Sequence, residues 1–429
     1  MKRLTPRRVA AVALAATMAV GSLAACGSGD DSADGPVKLR FLSLAWQEAS
    51  VAANQKLVND WNAAHSDIQI EYVQGSWDSV HDQLLTSFEG GDAPDIIHYE
   101  AALSGQFAQM GYLADLGELV PADLKGEIGQ NVWDTVTTTD GKIFGVPFLL
   151  ESQVVIANKK LLDEAAIPVP TPDAPWTWDD FAANAKKLTK GDTYGAAWAL
   201  KQPVNRVLNL GLNYDGKYFQ NTDGKNSVVF GPAEQEIPRR IHDMVYTDKS
   251  AAPDALGMGG TDPLPGFFGG KYAMLPGSIY LRQQMVEQAP EGFEWVTLPP
   301  LKGLSQNQSA NPQTLSISEQ SEHKDEAMQF MADFLSPTNQ AELAKGDWLV
   351  PTGKTAGEEL VASTGGKDGW DVAVASANSL VLAPFQTVPE FSEWKSKIAT
   401  PAFQEYFADT ISIDELGKRL VDGGADIIR

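Results

Sequence analysis

The sequence predicts an α/β fold built on an open parallel sheet. Three observations indicate it: strand-like and helix-like segments alternate from Val37 onwards, the strand-like segments are short and apolar, and a Gly-Gly pair ends the second helix-like segment. A strand–helix–strand order is typical of parallel sheets, because the chain must cross back over the sheet between parallel strands. With 429 residues, 43% of them hydrophobic, the chain can form a large core and two to three domains.

Five elements make up this first region. In chain order they are a strand at 37–46, a helix at 49–64, a strand at 68–72, a helix at 80–88 and a strand at 95–99. Apolar residues alternate in the strands and recur at helical spacing in the helices. Ligands of open α/β sheets bind beyond the carboxyl ends of the strands, which is where Trp46 and Tyr99 fall.

The remaining chain has a less regular pattern. Segments 142–150 and 153–157 are strand-like, and a proline-rich connector leads to Thr177, which predicts the N-cap of a helix. Residues 190–320 have the pattern of short strands between Gly/Pro loops. Helical spacing returns from Ala327 to Leu335 and ends before Pro337, and segment 354–429 has a mainly helical pattern.

Residues 1–26 have the features of a secretory signal peptide: a basic start, an apolar stretch and a small-residue cleavage site. The site, Leu23-Ala24-Ala25-Cys26, resembles the bacterial lipobox, in which the cysteine receives the lipid; the alternative is a chance cysteine. A polar, flexible tether at 27–36 follows. We therefore expect a bacterial protein held outside the cytoplasm on the cell membrane, with acyl chains such as palmitate on Cys26 as its only membrane attachment.

Charge and motifs argue against several classes of function. The formal net charge is -23, which disfavours nucleic acid as a partner because nucleic acid needs basic patches. Cys26 is the sole cysteine, and the five histidines lack the spacing of a zinc site. No phosphate-binding glycine loop or nucleophile elbow occurs, so we predict no cofactor and no metal. A glycoside hydrolase stays open, because it needs only two well-placed carboxylates.

Aromatic side chains are the most informative remaining feature. The chain contains 11 Trp, 10 Tyr and 17 Phe. Sugar rings pack their C–H faces on such rings, while carboxylates and amides bind the hydroxyls. The aromatics outside helical stripes are candidates for a carbohydrate cleft: Trp46, Trp77, Tyr99, Trp198, Tyr280, Trp348 and Phe385. Core packing is the alternative for each of them, and it is what we expect for Trp61 and Trp178, on apolar helix faces.

Five segments of the chain occur in a characteristic order. They are GGDAPDIIHYEAALSGQFAQMGYLADL at 90–116, DGKIFGVPFLLESQVVIANKKLLDEA at 140–165, PWTWDDFAANAKKLT at 175–189, FFGGKYAMLPGSIY at 267–280 and EWVTLPPLKG at 294–303. Together they resemble the family 1 extracellular solute-binding proteins of carbohydrate ABC transporters, which are similar to maltose-binding protein. Two departures concern the sugar site: Ala157 replaces the family's usual Tyr, and Ile279 and Tyr280 follow Gly277 without the usual Trp.

The resemblance implies the two-lobed, hinged periplasmic-binding-protein fold of type II, with a central ligand cleft. Lobe 1 would comprise 37–149 plus 300–345, and lobe 2 would comprise 150–299 plus 346–429. The ligand-binding positions that it implies are Trp46, Gln47, Glu48, Tyr99, Glu100 and Glu151 and, from lobe 2, Trp198, Asn205, Gly277, Tyr280, Trp348, Phe385 and Gln386. The alternative is a surface acid for Glu48 and Glu100, a turn residue for Asn205 and a backbone requirement for Gly277.

The function implied by the resemblance is capture of a neutral sugar, an oligosaccharide, and its unaltered delivery to a membrane permease with a cytoplasmic ATPase. We expect a monomer that is not an enzyme. Phosphorylated solutes fit less well, because Glu48, Glu100 and Glu151 would repel a phosphate and no basic cluster accompanies them. The alternatives are a secreted lipoprotein glycoside hydrolase, a glycerol-phosphate- or polyol-binding protein of the same family, and a surface adhesion protein.

Overall fold

A computed structural model gives the architecture of residues 35–428. The predicted signal peptide, Cys26 and the predicted tether up to residue 34 lie outside the described residues, so these predictions stay untested. Among residues 35–428, no helix combines the length and the apolar character needed to cross a membrane.

The N-terminal region alternates strands and helices as its sequence predicts. Its elements are β1 (Val37–Ser43), α1 (Glu48–Ala64), β2 (Ile68–Gln74), α2 (Val80–Gly90), β3 (Ile96–Glu100), α3 (Ala101–Gln109), α4 (Ala122–Glu127), α5 (Gln130–Trp133) and β4 (Val146–Leu150). Strand β1 pairs in parallel with both β2 and β3. Gly91 ends α2 at a φ of 70°, in the left-handed region that a side chain disfavours. The predicted parallel β–α–β–α–β unit is therefore confirmed.

The second region contains a small sheet among helices. Its elements are β5 (Gln153–Asn158), α6 (Lys159–Glu164), α7 (Trp178–Leu188), α8 (Pro203–Gly211), β6 (Phe219–Thr222), β7 (Lys225–Val228), α9 (Pro232–Tyr246), α10 (Leu264–Phe268), β8 (Met274–Ser278), α11 (Leu281–Gln288) and β9 (Trp295–Leu298). Thr177 caps α7 as predicted, accepting a hydrogen bond from the backbone N–H of Asp180. The prediction of only short strands and loops from 190 onwards was wrong, because α8, α9 and α11 occupy much of it. Prolines at the starts of α8 and α9 suit helix N-termini, although they resemble loop signals.

The last region is mainly helical, as predicted. Its elements are β10 (Gln308–Ser309), β11 (Gln313–Ile317), α12 (Lys324–Phe334), α13 (Pro337–Asp347), β12 (Val350–Pro351), α14 (Lys354–Thr364), α15 (Trp370–Ser376), β13 (Leu380–Val381), α16 (Phe391–Trp394), α17 (Thr400–Phe407) and α18 (Ile413–Ile427). A π-helical turn at Lys395–Ala399 joins α16 to α17.

The main sheet has six strands in the order β12-β4-β11-β3-β1-β2. Strand β11 lies antiparallel between β3 and β4, so the sheet is mixed, although the sequence pattern predicted a parallel one. The physical reason is that β11 enters from more than 200 residues further along the chain and not through a βαβ crossover. A second sheet, in the order β8-β5-β9, is entirely antiparallel.

The side chains of β5 alternate between two hydrophobic cores. Val154 and Ile156 pack in the core that surrounds the six-stranded sheet, whereas Val155 and Ala157 pack in a second core with α7 and the C-terminal helices. This alternation follows the two-residue period of a strand. Trp61 belongs to the first core and Trp178 to the second, as predicted for their helix faces.

The chain passes from one sheet to the other within two residues, Glu151 and Ser152, between β4 and β5. Ser152 shares a 2.7 Å hydrogen bond between its Oγ and that of Ser376, and the side-chain amide of Gln308 bonds both the N–H and the carbonyl of Gln153. The predicted lobe boundary at 149/150 lies inside β4, just before this crossing, and the division into lobes stays a prediction. Strand β12, however, pairs with β4 of the six-stranded sheet, although the predicted second lobe includes it.

Candidate functional site

A cavity of about 770 Å³ lies where the six-stranded sheet, the three-stranded sheet and the C-terminal helices meet. The loop after β1 and the end of β3 form one side of it, and the crossing from β4 to β5 forms its floor. The other side comes from α8, the end of β8 and the segment from 385 to 395. The cavity thus occupies the carboxyl ends of β1 and β3, the position at which open α/β sheets bind ligands.

Aromatic rings project into this cavity from several elements. They are Trp46, Trp77, Tyr280, Phe385 and Phe391. Trp46 is 62% exposed, which is unusual for so large an apolar side chain. Trp77 is half-buried and packs edge-on against His98, with ring centroids 5.7 Å apart. These rings provide flat apolar surfaces on which a sugar ring can pack.

Glu151 is the acid at the crossing, and it faces a cation across the cavity. Its carboxyl opens to the cleft but is surrounded by protein on its other sides, and this burial raises its pKa, while Ser278 and Arg206 act in the opposite direction. Burial lowers the pKa of Arg206, against the stabilising influence of Tyr280 and Glu151. Arg206 donates to the carbonyl of Ala199 at 2.9 Å. No ion pair joins Glu151 to Arg206 in the described chain, so both can still bind a ligand.

Glu100 repeats this arrangement at the end of β3. Asn311 donates to its Oε2 at 2.8 Å, and Lys395 on the π-helical turn lies on the opposite side of the cavity. Burial raises the pKa of Glu100; the negative charge of Glu151 adds to this effect, and Asn311 and Lys395 oppose it. Burial lowers the pKa of Lys395, and Glu100 opposes that shift. Two acids thus share the cleft, and each faces a cation contributed by a different helix.

His98 is buried beneath the cavity wall and orients the side-chain amide of Gln313, which lines the cavity. Its Nδ1 accepts from the backbone N–H of Leu44 at 3.1 Å, so the proton of the neutral ring lies on Nε2, which is 2.8 Å from Oε1 of Gln313. Burial lowers the pKa of His98 to about 4, which keeps the ring neutral at physiological pH. Gln313 lines the cavity, and its oxygen is therefore held by the imidazole.

Asp347 is the third acid of the cavity. It is the last residue of α13 and only 4% of it is exposed. Burial raises the pKa of its carboxyl to about 6, with Ser50 acting in the opposite direction. Among buried side-chain atoms of residues 35–428, four that belong to cavity-lining residues have no hydrogen-bond partner: Gln47 Oε1, Gln153 Oε1, Ser278 Oγ and Asp347 Oδ1.

The structure brings nine of the predicted ligand-binding residues together around the cavity. They are Trp46, Gln47, Trp77, Glu100, Glu151, Asn205, Tyr280, Phe385 and Gln386. The amide of Gln386 is already engaged, because it bonds the carbonyl of Ala310 and the N–H of Ala383. The assignment of these residues as ligand contacts stays a prediction.

Five predicted residues do not line the cavity. They are Glu48, Tyr99, Trp198, Gly277 and Trp348. Trp198 is fully buried and stacks on Trp178 at 6.0 Å, so the core alternative is right for it. Tyr99 points into the core of the six-stranded sheet, at 3% exposure, because the inward and outward faces of β3 alternate and Glu100 takes the cleft side.

Local contacts also explain why Trp348, Gly277 and Glu48 do not line the cavity. Trp348 stacks on Trp370 at 5.2 Å and lies 5.4 Å from the buried guanidinium of Arg282. A side chain at Gly277 would approach Leu281 to 2.5 Å, so this glycine serves close packing. Glu48 is exposed on the first turn of α1.

The sequence pattern missed several polar side chains of the cavity. They are Gln106, Gln153, Lys201, Gln202, Arg206, Asn209, Ser278, Ser309, Asn311, Gln313, Asp347, Ser392 and Lys395. The sequence predicted that no cluster of basic residues accompanies the acids, whereas Lys201, Arg206 and Lys395 all line the cavity. Lys201 just before α8, Arg206 on α8 and Lys395 on the π-helical turn are distant in sequence from the acids, so no local pattern connects them. Within residues 35–428, no group of His, Cys, Asp and Glu side chains could hold a metal ion.

Comparison with known families agrees with this geometry. The family model for bacterial extracellular solute-binding proteins matches residues 45–341. The chain belongs to this family. The uncharacterized lipoprotein of the oleD 5′ region of Streptomyces antibioticus is 47% identical to this chain. The match covers 94% of this chain and 90% of the relative. The diacetylchitobiose binding protein DasA of Streptomyces coelicolor is 29% identical over 44% of this chain and 43% of the relative.

Solved structures place the fold among two-lobed sugar-binding proteins. The sugar-binding protein MalE of Xanthomonas citri superposes with a TM-score of 0.77 at 19% identity, covering 91% of this solute-binding protein and 97% of MalE. The GacH receptor of Streptomyces glaucescens, studied unliganded and with acarbose, superposes with a TM-score of 0.74 at 20% identity, covering 92% and 98%. The predicted maltose-binding-protein-like fold is therefore confirmed.

Proposed function

We propose that this protein is the substrate-binding component of an ABC importer and that it captures a neutral oligosaccharide in the cavity between the two sheets. The single observation that carries the proposal is the composition of the cavity wall. Aromatic rings, of which Trp46 is the most exposed, lie there among carboxylates and amides that line the cavity from both sheets. This combination provides stacking surfaces and charge-assisted hydrogen bonds for a sugar.

The size and charge of the cavity support an uncharged ligand. A volume of about 770 Å³ lies within the usual range for small-molecule sites, roughly 300–1,000 Å³. Glu100, Glu151 and Asp347 are balanced by Lys201, Arg206 and Lys395, so the wall has no formal excess of positive charge to attract a phosphate. Relatives are consistent with this ligand class, since one is named a diacetylchitobiose binding protein and another an arabinooligosaccharide-binding protein.

Ligand capture would proceed by closure of the two lobes. A sugar would first pack on the rings, and its hydroxyls would then bond acids and amides of both walls, which draws the walls together. Closure excludes water and so strengthens the hydrogen bonds inside. The short crossing at Glu151 and Ser152 would act as part of the hinge. The closed monomer would deliver the sugar to a permease, held near it by acyl chains on Cys26.

A glycoside hydrolase is the second candidate, because Glu100 and Glu151 share one cleft and the charge of Glu151 helps to raise the pKa of Glu100. Two carboxyl groups with raised pKa values could serve as acid and nucleophile. The cations facing both acids and the binding-protein family favour capture without chemistry. Incubation with maltotriose, N,N′-diacetylchitobiose and arabinotriose separates the candidates.

For a binding protein we expect saturable binding by calorimetry, a ligand-dependent rise in melting temperature and intact sugar on chromatography. Products with new reducing ends would overturn the proposal in favour of the hydrolase. Binding of glycerol phosphate, with none of the sugars bound, would replace the oligosaccharide by the phosphorylated alternative. A melting temperature that none of these solutes changes would favour an adhesion protein.

A further inference from the structure

Asp347 occupies a position that three physical preferences oppose. It is an acid in the last turn of α13, where the helix dipole disfavours negative charge. It is 4% exposed, so its carboxyl loses most of its hydration. Its Oδ1 is buried without a hydrogen-bond partner. An alanine here would avoid all three costs and an asparagine would avoid the two that arise from charge, so stability of the fold does not account for the aspartate.

Residues of α1 complete a small polar group around this carboxyl. Ser50 lies against it, and a side chain at Gly346 would approach the Cα of Ser50 to 3.0 Å, which shows how closely α13 packs on the first turn of α1. Gln47 precedes Ser50 by three residues and lines the same cavity. It is 6% exposed, and its Oε1 also lacks a partner. Two cavity-lining residues, Gln47 at the N-cap of α1 and Asp347 at the end of α13, therefore each contain a buried acceptor oxygen without a hydrogen-bond partner.

The charges around Asp347 indicate which ligand groups could donate hydrogen bonds to Asp347 and Gln47. Besides burial, the side chain of Ser50 shifts the pKa of its carboxyl, and no cation is among the causes of the shift; the carboxyl in turn raises the pKa of the Tyr72 phenol. The cations of the cavity act on the other two acids instead: Arg206 on Glu151 and Lys395 on Glu100. An anionic group would be repelled by Asp347, whereas hydroxyl groups would donate to it without adding charge.

We propose that Asp347 and Gln47, beside the exposed ring of Trp46, form a subsite that accepts hydrogen bonds from two hydroxyls of one uncharged sugar unit. The inference rests on the proposed function, since it names the part of that ligand which enters this end of the cleft. The ring of Trp46 packs on the apolar face of the unit, and the two acceptors select units with free hydroxyls over carboxylated or phosphorylated ones.

Asp347→Asn tests this subsite, with Asp426→Asn as the control. The substitution keeps the shape of the side chain and removes its charge, while Asp426 is an exposed acid of α18 that does not line the cavity. Calorimetry would use whichever of maltotriose, N,N′-diacetylchitobiose or arabinotriose the unaltered protein binds most tightly. We expect Asp347→Asn to weaken binding about 10- to 100-fold, the equivalent of one lost charge-assisted hydrogen bond. Gln47→Leu should weaken it less, and Asp426→Asn should not change it.

The melting temperature of the unliganded variant distinguishes a binding role from a structural one. We expect Asp347→Asn to melt at or above the temperature of the unaltered protein, because it removes a buried unpaired charge. Unchanged affinity in Asp347→Asn, or weakened affinity together with a melting temperature lowered by several degrees, would overturn the subsite and leave the proposed function standing. If the unaltered protein bound none of the three sugars, the proposed function and the subsite would both be overturned.

Discussion

The three acids of the cleft differ in whether a cation faces them. Glu151 and Glu100 each face a cation of the opposite wall, Arg206 and Lys395, which offsets part of the cost of their burial. Asp347 is only 4% exposed, whereas Glu151 opens to the cleft, and no cation is among the causes of the pKa shift of Asp347. The acids therefore differ in how the cost of burying their charge is offset. A cation of the protein offsets it for Glu151 and Glu100, whereas for Asp347 we expect a bound ligand to offset it. For Asp347, binding energy and apo stability therefore oppose each other.

Removal of Glu151 should have the largest effect on binding. Glu151→Ala deletes a carboxylate that lines the cavity at the crossing between the sheets. We expect the sugar-induced rise in melting temperature to disappear, with the apo melting temperature nearly unchanged because the side chain opens to the cleft. A thermal-shift titration measures both.

Glu358→Ala is the matched control for this change. Glu358 is an exposed acid of α14 outside the cavity, so its removal should leave the sugar-induced shift intact. An undiminished shift in Glu151→Ala would remove Glu151 from the ligand contacts and with it the first half of the comparison between compensated and uncompensated acids.

The pH dependence of stability should reveal the uncompensated acid directly. The pKa of Asp347 is about 6 in the folded protein and 3.8 for an unperturbed carboxyl. Because the folded value is the higher one, the stability contribution of this group is fully present below pH 4 and is lost as the pH rises through 6. Asp347→Asn should therefore raise the free energy of unfolding by roughly 1–3 kcal/mol at pH 7.5, and the gain should vanish near pH 4.

Urea denaturation at the two pH values measures this difference. Asp426→Asn serves again as the control, since an exposed carboxyl should give no comparable gain at either pH. If the gain at pH 7.5 were absent, Asp347 would be compensated by contacts of its own and the contrast with Glu151 would not hold.

Of the three substitutions, removal of the exposed ring of Trp46 should have the smallest effect. Trp46→Ala removes a stacking surface worth roughly 0.5–1.5 kcal/mol, so we expect sugar affinity to fall about 2- to 13-fold with little change in apo stability. Calorimetry with the same sugar measures it. Leu304→Ala is the control, because Leu304 is 72% exposed and does not line the cavity. Equal affinities in both variants would separate Trp46 from the ligand.

The N-terminal half of the six-stranded sheet was predictable from local pattern. Strands β1 to β3 and helices α1 and α2 have regular spacing, and Gly90-Gly91 marks the end of α2. The antiparallel insertion of β11 was not predictable in this way, because its partners β3 and β4 lie more than 150 residues earlier in the chain. The sequence pattern did not predict helices α8 and α9, because the prolines at their N-termini are also typical of loops.

The candidate site shows the same division. The sequence located four residues at the cleft because they lie at strand ends or in the loops that follow them: Trp46, Gln47, Glu100 and Glu151. Tyr99 and Trp198 failed because aromatic residue type does not reveal on which face a ring lies, and both rings lie in a core. Asp347 carried no sequence signal at all, since nothing in the segment 337–347 distinguishes a buried carboxyl from an exposed one.

By itself, the sequence determined the α/β class, the family resemblance and the strand ends at which polar and aromatic residues gather, because these depend on periodicity and on residues adjacent in the chain. Only the tertiary structure decided which cation faces which acid and which acid has none. Burial and electrostatic pairing arise between residues such as Glu100 and Lys395 that lie nearly 300 positions apart, and their strength depends on distance and hydration in the folded chain.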